Sequence, residues 1–283
     1  MKKETLAKVK VIFKLLGFLA AVSAAELVSS VLVSPFGGKV APQVFILLQS
    51  TLAFIFPFLV IYLFLKKIDK ESFASMGLTV KGQKRNVFLG ILWGAVCLAV
   101  GFACVVGIEP ANVAIGLQPF SIAFQATYQL TVLVAFILVA FIEEMIFRGY
   151  LLRKLLGVFN NYTAICISAV VFSLVHMFAP GYDIFTFINI FIIGIFFALM
   201  YMYTNSLWFV IGFHFSWNFA QSLLGLCGSD SFYGILNLEF VERNRLNGME
   251  YGFESSCICT IIVLLSVLLA VAYRKKLQRG NLA

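Results

Sequence analysis

Long apolar runs separated by short polar breaks fill almost the whole chain. Eight of them approach the roughly 20 residues that an α-helix needs to cross a bilayer: 11–33, 43–65, 87–107, 131–152, 163–178, 184–203, 206–225 and 257–273. The breaks are short apart from 66–86, 108–130 and 226–256, and no internal repeat interrupts the pattern. The expected fold class is all-α: a polytopic transmembrane helical bundle of about eight spans, forming one integral membrane domain over 1–283. The first run is longer than the apolar core of a signal peptide and no convincing small-residue cleavage site follows it, so it reads as a retained helix. In the third run, Gly90 and Gly94 form a small-xxx-small pattern, which lets helices approach closely and is read here as packing within the chain.

Composition sharpens this picture. Of 283 residues, 61% are hydrophobic and 12% charged, with a mean hydropathy of +0.99. Soluble domains carry about 25% charged residues, so a water-soluble fold is excluded. The formal net charge of +8 would by itself suggest a nucleic-acid partner. The distribution of charge points elsewhere. With eight spans, only Lys39, Arg243 and Arg245 of the 21 basic residues fall on the face opposite the termini. That face carries Glu109, Asp183, Asp230, Glu239, Glu242, Glu250 and Glu254 instead. This is the positive-inside bias, and it predicts that both termini are cytoplasmic. The basic loops then face anionic lipid headgroups, and no nucleic-acid partner is required. The six cysteines read as small hydrophobes. Cys227 and the Cys257/Cys259 pair flank the outer segment, where one disulfide can form but its pairing is undetermined. The 226–256 segment, with Phe232, Tyr233, Leu236 and Phe240, reads as an interfacial loop without chemistry.

Charged groups at bilayer depth cost several kcal/mol, so each needs an explanation. Glu26 stands alone near the outer end of the first run and carries no functional assignment. The fourth run contains Glu143-Glu144-Met145-Ile146-Phe147-Arg148. At 3.6 residues per turn, Glu144 and Arg148 share a face and can pair. Glu143 points about 100° away from Glu144, without a counter-charge, which makes it a candidate general base. The fifth run carries Phe172 and His176 four apart, and the seventh carries His214 and Asn218 four apart. A lone histidine on an apolar helix is usually a satisfied core residue. Here both histidines of the chain lie at membrane depth, each with a companion one turn away. Counting about 1.5 Å per residue, Glu143 and His214 lie about 10 Å from the cytoplasmic face and His176 and Asn218 nearer 20 Å. One cavity can hold all four, expected to open more towards the cytoplasm.

The run Glu143-Glu144-x-x-x-Arg148, then Phe172-x-x-x-His176, then His214-x-x-x-Asn218, on separate spans in this order, resembles the CPBP family of intramembrane proteases. That family includes the CAAX prenyl endopeptidases of the Rce type and bacterial Abi proteins. The resemblance covers roughly 131–225, the expected catalytic core spans. It implies a glutamate-dependent endopeptidase acting on a membrane-associated or exported peptide or protein in the bacterial cell membrane. It further implies that Glu143, with His176, activates the attacking water, and that His214 and Asn218 bind the oxyanion. Glu144, Arg148 and Phe172 then support the site. The family is labelled metalloprotease, and Glu143, His176 and His214 can supply three ligands to Zn²⁺ or another divalent metal with water in the fourth place. A metal-free mechanism uses the same residues, so the metal stays open. Two rivals remain: a non-catalytic bacteriocin self-immunity or regulatory protein, and an ion-coupled transporter. The transporter would favour inverted repeats and helices broken at central Gly or Pro.

Overall fold

A computed structural model describes residues 2–228 and 234–280. In chain order the helices are α1 (Lys2–Val33), α2 (Pro42–Tyr62), α3 (Lys84–Ile108), α4 (Ile122–Glu144), the single turn α5 (Arg153–Leu156), α6 (Asn161–Leu174), α7 (Ile184–Thr204), α8 (Leu207–Leu223) and α9 (Cys257–Gly280). One long helix thus falls on each apolar run, and the fold is an all-α bundle. Among the described residues six helices are long and apolar enough to cross a membrane: α1, α2, α3, α4 with its continuation, α7 and α9. The other two, α6 and α8, have 14 and 17 residues. Their lengths of about 21 and 26 Å fall short of a hydrocarbon core of about 30 Å. These are the two helices that carry the histidine motifs.

Local sequence starts the helices where they start. Ser121, Asn160, Asp183 and Ser206 each accept a hydrogen bond from the backbone N–H of the first turn of α4, α6, α7 and α8. Each such cap is worth about 1 kcal/mol. Pro57 is buried inside α2, a central proline that the reading of the runs overlooked, yet the helix continues to Tyr62.

The closest helix approach joins α3 to α8, and glycine makes it. A Cβ at Gly90 would meet the Phe209 carbonyl oxygen at 2.1 Å, and one at Gly94 would meet Ser216 Oγ at 2.2 Å. From the other side, a Cβ at Gly212 would meet the Val87 carbonyl oxygen at 2.7 Å. The Gly90/Gly94 pattern is therefore used within the chain, and it fixes the helix that holds His214.

After Glu144 the fourth helix does not end. It widens into a π-helical stretch, Met145–Leu152, whose eight residues are all buried, and runs on through α5. On the face that carries α5, Asp69 meets Lys14 at 2.6 Å, Lys154 at 2.9 Å and the Tyr150 hydroxyl at 2.8 Å. Glu71 meets Lys154 at 2.7 Å and also pairs with Arg153.

On the opposite face the reading of 226–256 as a plain interfacial loop is corrected. Leu236 and Phe240 belong to a strand, β2 (Leu236–Phe240), antiparallel to β1 (Val113–Leu117), with Val113 opposite Phe240 and Leu117 opposite Leu236. Phe232, Tyr233 and Asp230 lie outside the described residues. Further on, the chain turns into the bundle. Phe253 is fully buried against α3, where Gly101 makes room: a Cβ there would lie 2.4 Å from the Phe253 ring. All six cysteines are free thiols, so no disulfide links this segment to α9. Cys227 is held instead by backbone pairing with Gly252.

Candidate active site

The two carboxylates that close α4 have different fates. Glu144 Oε1 accepts hydrogen bonds from Arg148 Nη1 at 2.8 Å and from His214 Nδ1 at 2.9 Å. Glu144 and Arg148 have no exposed surface. The guanidinium also lies 4.1 Å from the Phe172 ring centre and 4.8 Å from that of Phe197, a cation–π enclosure that partly replaces lost hydration. The expected i,i+4 ion pair is formed, and α8 is joined to it. Glu144 thus orients the His214 ring as well as holding α4 in register.

Glu143 diverges as the helical geometry requires. Its side chain is 23% exposed, and its Oε2 is buried without a hydrogen-bond partner, 3.8 Å from His214 Nε2. The Oε2 of Glu144 is likewise buried without a partner, and a buried polar atom in that condition calls for an explanation.

His176 lies just past the end of α6, in a turn, because that helix stops at Leu174. Its Nδ1 is 2.8 Å from the Phe172 carbonyl oxygen, which can only accept. Nδ1 therefore carries a proton, and in the neutral form of the ring Nε2 is the acceptor. Phe172 packs edge-on against both rings, 5.2 Å from His176 and 6.2 Å from His214 between centres. This is how the phenylalanine of the second motif joins the two histidines.

Glu143, Phe172, His176, His214 and Asn218 line one cavity of about 310 Å³. Cys227, Gly228, Glu250, Tyr251 and Glu254 line it too, so it lies beneath the 226–256 segment. The expectation that it would open towards the face carrying the termini is thereby corrected. The reason is length: the fourth helix continues to Leu156, which puts Glu143 about 20 Å from that face and level with His176. Glu26 is not among the lining residues.

The donors do not fit the three-ligand zinc arrangement expected from Glu143, His176 and His214. Among the described residues no three His, Cys, Asp or Glu side chains come together in a way that could hold a metal ion.

One cavity residue escaped the sequence reading. Glu254 was counted as an ordinary acid of the outer face. Its Oε1 accepts from Trp217 Nε1 at 2.8 Å, inside the cavity. Burial pushes this carboxyl above the usual carboxylate range, against the smaller opposing pulls of His176, the Trp217 bond and His214. Burial, with the Glu254 charge, also pushes the neighbouring Cys227 thiol up to about 12, which leaves it inert as a nucleophile. A local signal for Glu254 existed: it lies between Phe253 and an apolar span, in Tyr251-Gly252-Phe253-Glu254-Ser255.

Fold and cavity together define a class: a helical membrane protein with carboxylates and imidazoles converging inside the bundle. Residues 124–220 match the family described as Rce1-like, type II CAAX prenyl endopeptidase. The matched stretch contains every residue of the three motifs and ends before Glu254. It bears out the resemblance read from those motifs, and at the level of the family it supports an intramembrane endopeptidase. No curated protein and no solved structure gives a significant match to the chain.

Proposed function

We propose that this chain is an intramembrane endopeptidase of the CAAX-protease type that hydrolyses membrane-associated or exported peptides with glutamate-activated water. The observation that carries this reading is the Glu143 carboxylate 3.8 Å from His214 Nε2, in a cavity it shares with both histidines. That carboxylate takes a proton from water as the water oxygen attacks the scissile carbonyl carbon. His176 accepts the second water hydrogen bond through Nε2 and so fixes the direction of attack. The negative charge that develops on the carbonyl oxygen is met by His214 and the Asn218 amide. Each donor placed on such an oxyanion is worth about 3–4 kcal/mol. For His214 to donate through Nε2 while Nδ1–H bonds Glu144, the ring must carry both protons. Glu144 is the counter-ion to that state, and Arg148 balances Glu144.

No step is routed through a metal, since the donor set does not fit one. The lining of Phe136, Phe172, Phe197 and Trp217 excludes bulk water and suits an apolar substrate segment. The charge bias supports both termini on the cytoplasmic side, which would put the segment roofing the cavity on the outer side; the compact chain and short loops favour a bacterial cell membrane. Replacing Glu143 by Gln keeps the shape and removes the base. Cleavage should fall by about 10²- to 10⁴-fold with no change in thermal unfolding in detergent. Cleavage at the wild-type rate would overturn the assignment. Membrane peptides that accumulate in cells carrying Glu143→Gln identify the substrate.

A further inference from the structure

Glu254 is held as firmly as any motif residue, although no motif contains it. The Asn189 amide on α7 donates to the Glu254 carbonyl at 2.8 Å and to the Ser256 carbonyl at 3.0 Å, and its oxygen accepts from Thr260 at 2.6 Å. Asn189 is fully buried. Next door, the Phe253 ring fills the space left by Gly101 and lies 5.9 Å from the Trp217 ring. Backbone clamp and aromatic wedge together set the carboxyl into the cavity, where Trp217 Nε1–H fixes one of its oxygens. Among the described residues no Lys or Arg forms an ion pair with it. The titratable groups that face it are Glu143 on α4, His176 after α6, His214 on α8, Cys227 and Tyr251 in its own segment, and Cys259 on α9.

Peptide hydrolysis needs two proton transfers, and a base performs only one. An amine cannot leave the tetrahedral intermediate as an amide anion, so its nitrogen must be protonated as the C–N bond breaks. Of the three carboxyls that line the cavity, Glu143, Glu250 and Glu254, the first stands beside His214 and the last is enclosed beside an indole. Such a pairing is how enzymes divide base and acid duties.

We propose that Glu254 is the general acid of this cavity, giving its proton to the departing amine. The proposal rests on the reading of Glu143 as base. As water adds to the carbonyl carbon, its proton goes to Glu143. As the C–N bond breaks, the proton of Glu254 goes to nitrogen, leaving a carboxylate. Return of the proton from Glu143 to Glu254 through water restores both groups, so one water is consumed per bond and nothing else is used up. Burial already holds the Glu254 carboxyl above its usual range, which keeps the proton available nearer neutral pH.

The test compares two leaving groups. A fluorogenic peptide that the full-length enzyme cleaves in detergent micelles is paired with its 4-nitrophenyl ester, whose leaving group departs without a proton. Glu254→Gln should lower amide cleavage about 100-fold or more and leave ester cleavage within about threefold. Amide cleavage within threefold of wild type, or equal losses on both substrates, would overturn the proposal. Should Glu254→Gln not insert stably, Trp217→Phe serves. Losing the indole donor destabilises the carboxylate, so the alkaline limb of the amide rate should move to higher pH while the ester rate shows no such limb. An unmoved limb counts against the acid role. Glu143→Gln should lose both substrates. If it retains both, the assignment of the base fails first, and that outcome is distinct from any result at Glu254.

Discussion

On the face that carries the termini, Asp69 and Glu71 share Lys14, Arg153, Lys154 and Tyr150, so each carboxylate has at least two cationic or hydroxyl partners. At the end of α4, Glu144 divides a single oxygen between Arg148 and His214, and Glu143 and Glu144 each keep a buried Oε2 with no protein partner. The first cluster is redundant, so losing one contact leaves others in place. The second has no spare partner among the side chains, so each change falls directly on the remaining groups. If the proposed function holds, carboxylates that work and carboxylates that tether are told apart here by how many partners they are given.

The sharpest way to break this contrast is at Arg148. Arg148→Met leaves Glu144 buried without its cation and should lower stability by about 3–5 kcal/mol. Thermal unfolding in detergent measures it, and an unchanged midpoint would put the two clusters on an equal footing. Next comes Glu144→Gln, which keeps the space but weakens the hold on His214. Cleavage should fall by about 10²- to 10³-fold, equivalent to roughly 3–4 kcal/mol of transition-state stabilisation, mainly in kcat. A change confined to KM would assign Glu144 to substrate binding. Asp69→Asn is expected to cost no more than about 1 kcal/mol and to leave cleavage unchanged, because the other contacts of its cluster persist.

The smallest effect is a pH dependence. Burial pushes Asp69 and Glu71 upward, but the hydrogen bonds from Lys14, Lys154 and Tyr150 to Asp69, and from Lys154 and Arg153 to Glu71, outweigh it together and hold both below the ordinary carboxylate range. Their contribution is present in full above that ordinary range, and it is lost as the pH falls through the depressed folded values. Unfolding midpoints recorded on descending pH should therefore converge for wild type and Asp69→Asn. Divergence at acid pH would contradict the sign.

Much of this could be read from the sequence because its cause is local. The apolar runs gave all the long helices, and spacing alone paired Glu144 with Arg148 and sent Glu143 elsewhere. What could not be read depends on distant segments. The Glu144–His214 bond joins residues 70 apart in the chain. The length of the fourth helix was misjudged because Arg153 and Lys154 resemble the end of a span, although here they cap an unbroken helix and bind Glu71. Glu254 was missed because a glutamate in a polar segment looks solvated, and only the inward turn at Phe253 removes it from water. The β1–β2 ribbon went unread for a similar reason, since five-residue strands leave little periodicity to detect.

The wedge of Phe253 against Gly101 also sets an order of events. The helices bearing the three motifs precede residues 250–256 in the chain, so they are made before the segment that roofs the cavity. Only when α9 has followed and the wedge has docked on α3 does the chamber close. A chain cut short in that interval would carry every motif residue and lack the Glu250, Tyr251 and Glu254 side of the cavity.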